Sequence, residues 1–128
     1  MKNRLLVVAI ALVVLAGCRT APIMNVTEAP VVVMGSKAAT VEEVQTAIVR
    51  AGVRLGWQMT DAGPGVIRAH IALSTHTADA DVRYSAKTYS ITYRDSANLG
   101  ASGGQVHKNY NGWVQNLDRE IRSELLRL

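Results

Sequence analysis

Residues 66–94 read VIRAHIALSTHTADADVRYSAKTYSITYR, and their parity decides the fold class. Successive side chains of an extended strand point to opposite faces. Ile67, Ala69, Ile71 and Leu73 therefore share one face, with Arg68 and His70 on the other. From Ala78 the register has switched, since Ala78, Ala80, Val82 and Tyr84 are now the apolar set, so a turn or bulge must fall between Ser74 and His76. Tyr89, Ile91 and Tyr93 resume the alternation after residues 85–88. A symmetric loop there places Tyr84 opposite Tyr89, Val82 opposite Ile91 and Asp79 opposite Arg94. The segment is thus an antiparallel meander with one apolar face. Its other face, carrying Arg68, His70, Asp79, Asp81, Arg83, Thr92 and Arg94, reads as a solvated surface of mixed charge.

Upstream, residues 57–60 read as a further strand, ended by the turn cluster Asp61, Ala62, Gly63, Pro64, Gly65. Before it, Thr40 and Glu43 have the spacing of a capping box, and Val41, Val44, Ile48, Ala51 and Leu55 recur at helical intervals, so a helix is expected over residues 40–55. The apolar run 31–34 reads as a strand covered on both faces, and with the helix and the next strand it makes a βαβ unit. Downstream, the glycine-rich residues 98–105 read as a mobile loop. A second helix follows with Val106, Tyr110, Trp113, Leu117, Ile121 and Leu125 on its apolar stripe, firming up near Trp113 because Gly112 weakens its start. Asp118 and Arg122 form an i, i+4 pair expected on its wet face. The expectation is an α+β two-layer sandwich of β-α-β-β-β-β-α order. It has a mainly antiparallel sheet of about four or five strands and two helices on one face.

The N-terminus has a different character. Residues 1–18, MKNRLLVVAIALVVLAGC, pair a cationic start (Lys2, Arg4) with an unbroken apolar run over residues 5–16. As a helix that run covers about 18 Å, short of a hydrocarbon core of about 30 Å, so it reads as a secretory signal rather than a span. Its end, Leu15, Ala16, Gly17, Cys18, resembles the lipobox of bacterial lipoprotein precursors. That resemblance implies signal-peptidase recognition at Leu15, Ala16 and Gly17, a diacylglycerol on the Cys18 thiol and an acyl chain on its amino group. Several acyl chains make such an anchor effectively irreversible. The resemblance also implies an outer-membrane destination, because Arg19 rather than an aspartate follows the cysteine. Cys18 is the single cysteine of the chain, so no intrachain disulfide can form, and lipidation accounts for the odd thiol. The expected organisation is a signal peptide over 1–17, a lipidated cysteine and extended tether over 18–30 with a reach of about 40 Å, and one α+β domain over 31–128; the alternative is that Ile23, Met24 and Val26 dock on the core as an early strand. Without Lys2 and Arg4 the formal charge of +4 falls to +2. A nearly neutral mature chain gives no ground for a nucleic-acid partner.

Candidate chemistry is sparse. Gly100, Ala101, Ser102, Gly103, Gly104 matches the GxSxG nucleophile elbow in letters, but that motif needs a strand-to-helix turn over a large parallel sheet with Asp before His later in the chain. Here His107 precedes Asp118. His70, His76 and His107 are isolated, and parity puts His76 on the face opposite Asp79 and Asp81, against a shared metal. No zinc spacing, Walker loop or dinucleotide fingerprint occurs, so no catalytic, metal or cofactor-binding residue is assigned. Tyr84, Tyr89, Tyr93, Tyr110 and Trp113 read as core aromatics. What remains for binding is the loop with Asn98, Gly100, Ser102, Gly103 and Gly104, the turn at Ser74 to His76, or an exposed strand edge.

From Gly56 onward, Gly56 and Trp57, Gly65 with Ile67 and Ala69, the run Tyr89, Ser90, Ile91, Thr92, Tyr93, then Ser96, Asn98 and Leu99, and finally His107, Tyr110, Asn111 and Trp113 resemble a group of small uncharacterised proteobacterial outer-membrane lipoproteins. The resemblance implies a fold pattern and an address but no catalytic residue. The expected role is a non-enzymatic, lipid-anchored accessory in the periplasm that binds an envelope protein. The alternative is a carrier of a small molecule or lipid fragment, with a pocket between helices and sheet around Tyr84, Tyr93 and Trp113.

Overall fold

The computed structural model describes residues 20–128. In chain order its elements are β1 (Thr20–Pro22), β2 (Val26–Pro30), α1 (Val41–Arg54), β3 (Gln58–Asp61), β4 (Val66–Leu73), β5 (His76–Tyr84), β6 (Thr88–Ala97), β7 (Gln105–His107) and α2 (Lys108–Leu125). The meander forms as its parity dictates: Tyr84 lies opposite Tyr89, Val82 opposite Ile91, and Ser74 takes φ 58° in the two-residue turn between β4 and β5. One pairing differs. A register shift after Asp79 sets Ala80 opposite Tyr93 and Asp79 opposite Asp95, which leaves Arg94 as the extra residue of a bulge. Alternation alone carries no mark of an inserted residue, because a bulge changes the count on one strand only.

The main sheet has the order β2-β6-β5-β4-β3, every neighbouring pair antiparallel, and a second small sheet pairs β1 with β7. Its inner face buries Ile67, Ala69, Ile71, Ala78, Ala80, Val82, Tyr89 and Ile91 against Val44, Ile48 and Ala51 of α1 and Val114, Leu117 and Ile121 of α2. This is the two-layer α+β sandwich that the alternation implies. α1 begins at the capping box, Thr40 accepting from the Glu43 N–H at 3.1 Å and Glu43 accepting from the Thr40 N–H at 3.1 Å. It ends where Gly56, at φ 86°, lets the Trp57 N–H reach the Gly52 carbonyl and the Gly56 N–H reach that of Val53, the double closure that favours glycine after a helix.

The first strand is corrected. Residues 31–34 form no strand, and Val32 and Met34 are exposed. The pairing lies upstream in β2, an edge strand, where Ala29 alone is buried and Pro30, whose missing N–H would break a central ladder, is tolerated. The extended tether is corrected with it, since from Thr20 the chain is already paired: Thr20 opposite His107, Val26 opposite Ile91. The paired domain therefore includes residues 20–30, upstream of the expected start at 31. β2 and β3 point the same way but occupy opposite edges with three strands between them, so α1 connects non-adjacent strands. α2 also starts earlier than expected, at Lys108, because His107 caps it by accepting from the Asn109 N–H at 3.2 Å.

Candidate functional site

Leu15, Ala16, Gly17 and Cys18, which carry the lipobox reading, lie outside the described residues. Where the described chain starts still bounds the anchor. Thr20 is two residues after Cys18, and two extended residues reach at most about 7 Å.

The glycine-rich loop is pinned at both ends rather than free. Ser102 and Gln105 exchange backbone hydrogen bonds of 2.9 Å in both directions around Gly103 (φ 57°) and Gly104 (φ 79°), a tight turn that needs left-handed residues at both central positions. Ser102 thus sits on a hairpin turn, not on a strand-to-helix elbow. Leu99 is buried, its carbonyl accepts from the His107 N–H at 2.7 Å, and Asn98 (φ 60°) donates through Nδ2 to the Thr75 carbonyl at 2.7 Å. Asn98, Gly100, Ser102, Gly103 and Gly104 therefore form one exposed ridge beside the β4–β5 turn.

The outer sheet face is more organised than a solvated surface. Asp81 is 8% exposed and held by Arg68 (3.4 Å), Arg94 (3.3 Å) and Arg83 (3.9 Å), one cation from each of three strands. His70 Nδ1 meets Asp79 Oδ1 at 2.8 Å across the β4–β5 ladder. The remaining histidines each hold local structure, His76 with Nδ1 2.7 Å from the Asn98 carbonyl and His107 as the cap of α2. Among the described residues no group of three His, Cys, Asp or Glu could hold a metal ion.

The five aromatics named from the sequence do not line one site. Tyr89 and Tyr110 are fully buried, and Tyr93 packs edge-on against Tyr110 at 5.2 Å. Tyr84 lies by a groove with Glu42 and Asp61, whereas Trp113 lies by another, of about 210 Å³, with Leu55, Trp57, Ile71, Leu73 and Asn116. The Tyr89 hydroxyl donates to Asp118, whose other oxygen meets Arg122 at 2.9 Å, so the i, i+4 pair is half-sunk against the sheet rather than on a wet face. Burial, then the Asp118 hydrogen bond, pushes the Tyr89 hydroxyl up to about 12. Burial also raises Tyr110, whose hydroxyl has no hydrogen-bond partner among the described residues.

Sequence reasoning missed the grouping of Leu55, Leu73 and Trp113. The available signal was Leu73, an apolar residue at the very end of its strand that stays 45% exposed beside the ends of both helices. Among the described residues no helix is long and apolar enough to cross a membrane. Comparison with protein-family models, curated proteins and solved structures finds no match to this chain.

Proposed function

We propose that the chain is the precursor of a lipid-anchored cell-envelope protein, cleaved before Cys18 and held in the outer membrane by acyl chains on that residue. Its domain faces the periplasm as a non-enzymatic accessory that binds another envelope protein. The observation that carries this reading is the leader itself: a cationic start, an apolar run too short to span, and Leu-Ala-Gly before the single cysteine. Its junction supports the reading, because Thr20, two residues past Cys18, is already paired with His107 in the domain. The accessory role is supported by the occupations of the polar side chains. The three histidines and the buried Asp81 each hold neighbouring structure together.

Among the described residues the ridge at 98–104 and the outer edge of β3, which has a strand partner on one side, are surfaces that such a partner would use. Replacing Cys18 by Ser should move the protein from the membrane to the soluble periplasmic fraction. Persistent membrane association with normal leader cleavage would contradict the anchor. Photo-crosslinking in cells from position 102 and from position 58 should give one recurrent protein adduct. No adduct, with lipid co-purifying from the soluble domain, would favour the carrier, for which the geometry offers surface grooves rather than a pocket beside Tyr84, Tyr93 and Trp113 together.

A further inference from the structure

One end of the sandwich gathers features that are scattered along the chain. Thr20 pairs with His107 at the start of α2, and the chain then runs away from this end: Met24 N–H donates to Asn111 at 2.9 Å, and Pro30 lies opposite Thr88 at the far end. The His107 N–H bonds Leu99, Asn98 bonds Thr75, and Leu73 stands opposite His76, so the loop, the β4–β5 turn and the start of β1 are neighbours. At this same end Leu73 is 45% and Leu55 36% exposed, rimming a shallow groove with the half-buried Trp113.

The charge of this end is equally distinctive. Residues 20–27, 55–60, 69–78 and 96–117, which build it, contain no aspartate or glutamate, while Lys108 is exposed there. The carboxylates bordering these segments are Asp79 and Asp95 on the outer sheet face and Asp118 and Glu120 on α2; Asp79 is taken by His70, Asp118 by Tyr89 and Arg122, and Glu120 by Arg54 at 3.3 Å, next to Leu55. Glu28, Glu42, Glu43 and Asp61 are all at the opposite end.

We infer that this end, with Leu55, Leu73, Trp113 and Lys108, lies against a phospholipid bilayer surface containing anionic lipid. The inference rests on the lipidation of Cys18 proposed above. An acyl anchor within about 7 Å of Thr20 leaves the domain no length in which to turn another face to the membrane. Carboxylates held that close to anionic headgroups would be repelled within a Debye length; the four segments of this end carry none, Asp79, Asp118 and Glu120 at its border are each paired with a basic side chain, and Lys108 is attracted. Tryptophan and leucine side chains at such a boundary bury apolar surface while the indole N–H stays hydrated. The patch is too small to hold a protein on a membrane alone. The anchor makes its contact intramolecular, so weak affinity suffices. A partner reached through residues 98–104 is then itself at the membrane surface.

The test uses the full lipidated protein in vesicles of phosphatidylethanolamine and phosphatidylglycerol with brominated acyl chains. With Cys18 acylated, Leu73→Cys supplies a unique thiol for an environment-sensitive fluorophore, and Leu126→Cys, 43% exposed at the opposite end, supplies the control. The label at 73 should be blue-shifted and quenched by bromolipid, and that at 126 neither. Equal, water-like emission at both positions, with acylated Cys18 confirmed by mass spectrometry on the same sample, would overturn the membrane-facing end and leave the anchor standing. Unacylated Cys18 in membrane-extracted protein would overturn the anchor, and this inference with it.

Discussion

Tyr89 and Tyr110 occupy the same core and differ in one bond. Tyr89 donates to Asp118, while the Tyr110 hydroxyl is buried with no partner among the described residues. A buried donor to a carboxylate contributes about 1.5–3 kcal/mol, and an unpaired buried hydroxyl contributes nothing to offset its desolvation. Tyr89→Phe should therefore lower stability to urea by that amount, and Tyr110→Phe should leave it unchanged or raise it by about 1 kcal/mol. Both hydroxyls have raised proton affinity in the fold, that of Tyr89 to about 12 from an ordinary 10. Below pH 10 folded and unfolded chains are both protonated and the contribution is complete. Between pH 10 and 12 the unfolded chain loses protons that the fold retains, so stability falls as pH rises. Tyrosinate absorbance followed against pH should show these two groups ionising only as the protein unfolds. Ionisation of all four tyrosines near pH 10 in the folded protein would contradict the burial described. The inward placement of both rings was legible from strand parity and helical spacing. The Asp118 bond was not, because it joins α2 to β6 and depends on how the helix lies across the sheet.

α1 approaches β3 so closely that a Cβ on Gly52 would overlap the Met59 sulfur and lie 2.7 Å from its Cγ. Alanine in a helix is ordinarily favoured over glycine by about 1 kcal/mol. Here overpacking of about 1–3 kcal/mol should outweigh that gain, so Gly52→Ala lowers the urea midpoint. In a Met59→Ala background the same substitution should become stabilising. A destabilisation of equal size in both backgrounds would mean that the close approach is not its cause. At this scale much was legible: the capping box fixed the start of α1, Gly56 its end, and alternation fixed β4, β5 and most of β6. The failures share a cause. β2 hides because an edge strand needs only alternate burial and admits Glu28 and Pro30, while residues 31–34 are apolar without being paired. The bulge at Arg94 and the pairing of β1 with β7 are tertiary choices, set by which strands meet rather than by local pattern.

For the whole molecule, the uneven distribution of apolar and charged residues along the chain matters more than its totals. The leader gathers an unbroken apolar run, and two residues beyond the cysteine that ends it Thr20 is already paired with His107. The candidate site was legible in part. The lipobox is a local pattern, and the ridge at residues 98–104 announces itself through its glycines. By contrast, the apolar, acid-free end is assembled from four separated segments and needs the fold to be seen. The anchor and the short junction together make a specific claim about the mature chain, which mass spectrometry of its N-terminal peptide tests most directly. The account predicts that protein extracted from membranes begins at Cys18, with a diacylglycerol on the thiol and an acyl chain on the amino group. A mature chain that begins elsewhere, or that begins at Cys18 with a free thiol, would contradict it.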